Sequence, residues 1–341
     1  MTNSEPGSKT IPRISLTAPV FILSSLVTLI SLSVASSSQK LPTAKNESDE
    51  YTLRVNTNLV ILNATVLNHD KALVSGLAKE NFQVYENQVL QSIKHFSHED
   101  IPVSVGLLID NSGSMASKRD DVIAAALNFA ASSNPLDQIF VVNFNEHISY
   151  GLPEGILFTD QREQLQQALS AIHTIGETAL YDAIASALNH LKQSKSDKKV
   201  LIVISDGGDN ASKHSLTQVL EMAKISNAII YTIGIFDEQD GDQNPGVLKR
   251  FAKETGGEAF FPDSSKEIAS ICEGIARDIR NQYTLSYVPI IPISGEGYRT
   301  VEVKVRAPNY GRLSVRTRAG YSVPRAFSTQ AGNPASLDAH E

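Results

Sequence analysis

Three short segments of this 341-residue chain gather oxygen donors. They are Asp110-Asn111-Ser112-Gly113-Ser114, Gly176-Glu177-Thr178-Ala179 and Ser205-Asp206-Gly207-Gly208-Asp209. Together they offer carboxylates and hydroxyls with almost no nitrogen or sulfur. Hard donors of that kind suit magnesium, manganese or calcium rather than zinc or copper. Ser112 and Ser114 alternate with Asn111 and Gly113, so a tight turn can aim both hydroxyls to one side, with Gly113 expected to supply the backbone freedom. A cation held mainly by neutral hydroxyls keeps more of its charge than one ringed by carboxylates. It would therefore attract an acidic group strongly, most of all where water is excluded. Taken singly, each Ser or Asp has a plainer use as a cap of a helix or turn.

The elements that must position these segments alternate in type. Val103 to Ile109 is a short, mostly apolar run, as in a strand buried on both faces, and it delivers Asp110 at its end. A helix with Val122, Ala126 and Phe129 on one side follows. Next come a strand at Ile139 to Phe144 and a helix carrying Leu165, Leu169 and Ile172. The Thr178 segment opens a helix marked by Leu180, Ile184, Leu188 and Leu191. Val200 to Ile204 is a buried strand that ends at Asp206. Leu216, Leu220 and Ala223 mark a further helix before a strand at Ile229 to Ile235. A short helix from Leu248 to Thr255 stops at Gly256-Gly257. The last helix carries Ile268, Ile271, Ile275 and Ile279 on one stripe. This alternation predicts an α/β fold: a doubly wound, mainly parallel sheet with helices on both faces. Ligands of such sheets collect outside the carboxyl ends of the strands, an edge that all three segments can reach.

With that order in place the pattern resembles the metal-ion-dependent adhesion site of von Willebrand factor A and integrin inserted domains. Asp-x-Ser-x-Ser after the first strand, a Thr on a later loop and an Asp after a later buried strand match at Asp110, Ser112, Ser114, Thr178 and Asp206. The resemblance spans about residues 101 to 282. It implies that the serines and the threonine coordinate a divalent cation directly, Mg2+ first, with Mn2+ or Ca2+ as alternatives. It also implies that the two aspartates act partly through bound waters, and that an open position takes a carboxylate from a partner protein. Glu177 and Asp209 are expected beside the site as solvated or supporting groups. The acidic stretch Asp237 to Asp242 reads as a surface loop: counted from Asp240, Pro245 occupies the sixth position, where a helix-loop-helix calcium site needs Gly.

Both flanks of the α/β region are rich in strands and too short for cores of their own. On the N-terminal side, residues 51–100, Val60, Leu62, Ala64 and Val66 alternate, Phe82 and Val84 begin a second run, and Glu86-Asn87-Gln88 turns into a third from Val89 to Phe96. On the C-terminal side, residues 283–323, Tyr283, Leu285 and Tyr287 alternate, as do Val301, Val303 and Val305, then Leu313 and Val315. The two flanks are expected to pair into one smaller β-rich unit. Gly76-Leu77, the run Asn81 to Glu86 and the closing Arg318-Ala319-Gly320-Tyr321 are similar to bacterial von Willebrand factor A-related secreted proteins. Residues 36–50 and 324–341 read as polar spacer and tail.

Lys9 and Arg13, the apolar run Val20 to Val34 and the small residues Ser33-Val34-Ala35 follow the order of a secretory signal peptide over residues 1–35, with an uncleaved anchor as the competing reading. Either places the remaining chain outside the cytoplasm, with the membrane touched only through such an anchor. The net charge of −7 and scattered Lys and Arg argue against a nucleic-acid partner. The single cysteine, Cys272, excludes an internal disulfide and reads as a buried thiol. No His-Glu-x-x-His, Gly-x-Ser-x-Gly or phosphate-binding Gly-Lys-Ser/Thr motif occurs, so no enzyme class is indicated. The expected function is thus extracytoplasmic, metal-dependent protein binding. An envelope scaffold whose metal site is mainly structural is the alternative.

Overall fold

The computed structural model of the protein describes residues 59–170, 176–236, 243–291 and 297–323. The readings for residues 1–35, 36–50 and 324–341, for the Asp237 to Asp242 loop and for Ile172 lie outside them.

The described residues begin with four strands, β1 (Val60–Leu67), β2 (Phe82–Glu86), β3 (Val89–Gln91) and β4 (Ile93–Ser97). The alternating region follows as β5 (Ser104–Asp110), α1 (Arg119–Ser132), β6 (Gln138–Phe144), β7 (Ile148–Tyr150), α2 (Arg162–Ser170) and α3 (Leu180–His190). It continues with β8 (Lys199–Ser205), α4 (Leu216–Ile225), β9 (Ala228–Gly234), α5 (Pro245–Thr255), β10 (Ala259–Phe260) and α6 (Ile268–Arg280). Four more strands close the described chain: β11 (Tyr283–Tyr287), β12 (Gly297–Val305), β13 (Ser314–Arg316) and β14 (Gly320–Val323).

Strands β10-β9-β8-β5-β6-β7 form one six-stranded sheet, parallel except for the antiparallel β6–β7 edge. Every residue of β5 and β9 is buried, so helices cover both faces there and the apolar runs need no alternation. Helix boundaries follow local chemistry. Ser215 and Gln218 form a capping box at the start of α4. Asn244 caps α5, Pro245 stands at its first position, and Gly256 ends it in the left-handed region. That helix starts three residues before the apolar pattern that announced it. On α6 the buried face is Ile268, Cys272, Ile275, Ala276 and Ile279, with Ile271 only half-buried. At 100° per residue Ile271 falls to one side of the stripe and Cys272 into it.

The flanking strands interleave. One four-stranded sheet has the order β13-β1-β11-β4 and the other β14-β12-β2-β3, so each mixes strands from both ends of the chain. Leu62, Val84, Tyr283, Leu285, Tyr287 and Val303 share their core. The single run read from Val89 to Phe96 is in fact two strands. The β2–β3 hairpin closes through Asn87 and Gln88, both at positive φ, as a two-residue hairpin turn requires. The Gln91 side chain is buried and accepts the Ile290 amide at 3.0 Å. Beyond it the chain crosses to the other sheet, where β4 pairs with β11.

This β-sandwich is tied to the α/β region by a buried polar seam. Asp278 of α6 accepts hydrogen bonds from Thr65 of β1 (2.7 Å), Tyr231 of β9 (2.7 Å) and Arg316 of β13. Arg318 donates to Asn227 at 2.9 Å and to the Lys224 carbonyl at the end of α4 at 2.7 Å. Gly256 belongs to the same seam: a Cβ there would lie 2.5 Å from the Arg318 backbone nitrogen.

Candidate metal centre

Parallel register sets the frame. Asp110 ends β5 opposite Phe144 of β6, and Ile109 stands opposite Ile204 of β8, so the next pair at the sheet edge is Asp110 beside Ser205. Ser205 donates its hydroxyl to Asp110 Oδ2 at 2.6 Å. The two aspartates turn their loops in the same way. Asp110 Oδ1 accepts the Ser112 amide at 2.9 Å, and Asp206 Oδ1 accepts the Gly208 amide at 3.0 Å. Side-chain acceptors of this kind bend the backbone just after a strand. The plainer role as turn formers is therefore real for both aspartates, and each leaves its second oxygen for other partners. Ser114 donates to Asp206 Oδ2 at 2.6 Å, and the Ser112 and Ser114 hydroxyls lie 3.2 Å apart. Asp110, Ser112, Ser114 and Asp206 thus form one connected oxygen cluster.

Thr178 is placed mainly through its backbone. Its amide donates to Asn210 Oδ1 at 2.9 Å, and its carbonyl accepts the amides of Asn210 and Ala211. Gly113 N donates to the Gly176 carbonyl at 3.2 Å, which joins the second segment to the first. All five expected residues therefore belong to three loops that are hydrogen-bonded to one another at the carboxyl edge of the sheet. Asp110, Ser112, Thr178 and Asp206 are buried, and Ser114 is half-buried.

Electrostatics at this edge are unbalanced. Burial pushes the Asp110 carboxyl up to about 6, against hydrogen bonds from Ser112 and Ser205 that favour its charged form; the nearby Asp206 adds to the rise. Among the described residues no Lys, Arg or His forms an ion pair with either aspartate. Two buried carboxylates without a cationic side chain are costly unless a cation or a proton compensates them. Also among the described residues, no three His, Cys, Asp or Glu gather into a metal-ligating group. A cation here would have to draw on the hydroxyls of Ser112, Ser114 and Thr178, a donor set that fits a hard divalent ion.

Sequence reasoning placed one feature wrongly and missed a layer of support. Gly113 does not adopt a positive φ; the left-handed positions in these loops are Gly176 (φ 91°) and Gly207 (φ 82°). The 111–114 loop turns through the Asp110 side chain, so it needs no left-handed residue. Ser205 and Asn210 stood within or beside the quoted segments without an assigned role. Asn111 reaches Asn143 at 3.2 Å, and Asn143 in turn donates to the Ala168 carbonyl at 2.8 Å. Position at or beside a strand end could have marked Ser205, Asn111 and Asn143; Asn210 lies in the loop after β8 and carries no such signal. Asp209 is half-buried and accepts the Tyr181 amide at 2.8 Å and the Ser212 hydroxyl at 2.7 Å, so it caps α3; Glu177 is exposed.

The family model of the von Willebrand factor type A domain matches residues 104–273. An uncharacterized protein of Borreliella burgdorferi is 26% identical over 155 residues, which is 44% of this chain and 44% of that protein. YwmC of Bacillus subtilis, also uncharacterized, is 28% identical over 189 residues, 50% of this chain and 81% of that protein. The match to the Borreliella protein thus spans less than half its length. Among solved structures, a von Willebrand factor type A protein from Catenulispora acidiphila aligns at TM-score 0.49 and 16% identity, covering 76% of this chain and 72% of that one. The vWF domain of the pilus tip protein Mfa5 from Porphyromonas gingivalis aligns at TM-score 0.45 and 17% identity, covering 53% and 95%.

Proposed function

The chain carries a von Willebrand factor type A domain over residues 104–273, and on that premise we propose that it is a metal-dependent protein-binding module. Asp110, Ser112, Ser114, Thr178 and Asp206 would hold a divalent cation, Mg2+ first. The observation that carries this reading is the buried pair Asp110 and Asp206, joined through Ser112 and Ser114, with Ser205 donating to Asp110 and no ion pair to a cationic side chain among the described residues. The bound ion would neutralise that pair. It would also present residual positive charge at the sheet edge, where a partner protein's carboxylate could complete its coordination. The role we propose is binding rather than catalysis, in keeping with the von Willebrand factor type A match over residues 104–273.

The apolar run at Val20 to Val34 supports a place outside the cytoplasm, although it lies outside the described residues. Among the described residues no helix is long and apolar enough to cross a membrane.

Calorimetric titration with Mg2+, Mn2+ and Ca2+, beside an Asp110→Ala control, tests the metal. Saturable binding that the control loses is the expected outcome. A folded wild-type protein that takes up none of the three ions refutes the reading. Partner capture that persists in chelator would assign the interface elsewhere and leave the ion a structural role.

A further inference from the structure

We propose that Glu146, in the turn between β6 and β7, is the positioning residue that sets the Thr178 loop for metal binding; the inference rests on the metal reading above. The end of β6 acts as a strut between two of the three loops. The Phe144 carbonyl accepts the Asn111 amide at 2.7 Å, behind the first segment. The Asn145 carbonyl accepts the Ala179 amide at 2.8 Å, behind the second. Glu146 adds a side-chain contact to the strut: its Oε2 accepts the Glu177 amide at 2.7 Å. A carboxylate acceptor makes that bond stronger than a neutral one. It acts on the amide immediately before Thr178.

Gly176 shows how closely the carboxylate is fitted. Its φ of 91° suits glycine, and a Cβ at that position would lie 1.8 Å from Glu146 Oε2. The space a side chain would fill is the space the Glu146 carboxylate occupies. Gly176 and Glu146 therefore form a matched pair, and either can be altered to break the same contact. In Gly176→Ala the new methyl expels the carboxylate. In Glu146→Ala the carboxylate is absent. In Glu146→Gln an amide oxygen can still accept the Glu177 amide.

This pairing gives the proposal its own signature. A residue that merely contributed to general stability would show effects that add with those of Gly176. A positioning contact shared by the two residues gives effects that do not add. The Glu146 side chain is about 40% exposed, so Glu146→Ala and Glu146→Gln leave the core intact; Gly176→Ala also places Ala at φ 91°, a cost in stability that urea denaturation reads separately.

The experiment measures two quantities in wild type, Glu146→Ala, Glu146→Gln, Gly176→Ala and the Glu146→Ala/Gly176→Ala double variant. The first is the hydrogen-exchange rate of the Glu177 amide in metal-free protein. The second is Mg2+ affinity by calorimetry. Glu146→Ala and Gly176→Ala should each raise the exchange rate and weaken Mg2+ by ~10-fold, the scale of one lost hydrogen bond to a charged group. The double variant should be no worse than Gly176→Ala, which carries the added strain of Ala at φ 91°, and Glu146→Gln should recover most of the affinity. Unchanged exchange and affinity in Glu146→Ala would overturn the proposal, as would additive losses in the double variant. A wild-type protein that binds no Mg2+ would refute the metal reading alone. The exchange rates, measured without metal, would then decide whether Glu146 holds the loop.

Discussion

Asp110 links chemistry and stability at the scale of one residue. Its carboxyl is held up to about 6 by burial, above the ordinary 3.8. Below about pH 4 the group is protonated in folded and unfolded protein alike and costs nothing. Between about 4 and 6 the folded protein holds the proton and the unfolded chain releases it, so stability falls as pH rises through that window. Above about 6 the folded protein carries the ionised, buried carboxylate, at a cost of roughly 3 kcal/mol by the usual conversion of pKa shifts. Asp110→Asn removes that cost. Without metal it should therefore be more stable than wild type at pH 7.5, by on the order of 1–3 kcal/mol, and the gap should close towards pH 4. Urea denaturation across that range measures the difference. An Asn variant that is less stable at neutral pH would show that the hydrogen bonds of Asp110, not its buried charge, dominate its contribution. The same substitution should abolish Mg2+ binding, so gaining stability while losing the ligand separates a binding residue from a cap.

Among the elements, α5 illustrates how a local signal acquires a tertiary meaning. Gly256-Gly257 reads from sequence as an ordinary helix stop, and Gly256 does end α5 at φ 85°. The structure adds that the Thr317–Arg318 backbone passes directly over it. Ala at this position meets both a disfavoured φ and a backbone neighbour that cannot rotate away, unlike the flexible carboxylate that faces Gly176. Gly256→Ala should thus destabilise the protein by about 2 kcal/mol or more, beyond the ~1 kcal/mol expected from φ alone. Chemical denaturation checks it, and a loss confined to ~1 kcal/mol would mean that the seam gives way at little cost.

For the whole molecule, the question is how two hydrophobic cores form one body. Arg316 of β13 pairs with Asp278 of α6 and with Glu258, and Asp278 also accepts from Thr65 and Tyr231. Asp278 is only 6% exposed, so its charge depends on these donors. Arg316→Met leaves a buried carboxylate without its cation and should cost about 3 kcal/mol. Adding Asp278→Asn should restore much of it, because a neutral amide needs no counter-charge. A double-mutant cycle by urea denaturation measures the coupling, and a value near zero would mean that apolar packing alone joins the two cores.

The sequence by itself determined the alternating α/β region, the order of its buried strands and the five oxygen-bearing residues at the carboxyl edge. Those features are local: an apolar run of seven residues, a 3.6-residue stripe and a short motif each carry their signal within a few positions. It also indicated that the two flanks combine, since neither could bury a core alone. Only the tertiary structure decided which strands share each sheet of the sandwich and that the Val89 to Phe96 run divides between them. It alone brought the turn at Glu146, thirty residues from Gly176, into hydrogen-bond contact with the segment that carries Thr178. Those outcomes depend on contacts such as Glu146 with Glu177, Thr65 with Asp278 and Tyr321 with Glu86, between residues 31 to 235 positions apart. Periodicity carries no information across such distances, because a hydrogen bond between remote residues leaves each of them looking, in its own neighbourhood, like any other polar residue on a loop or strand.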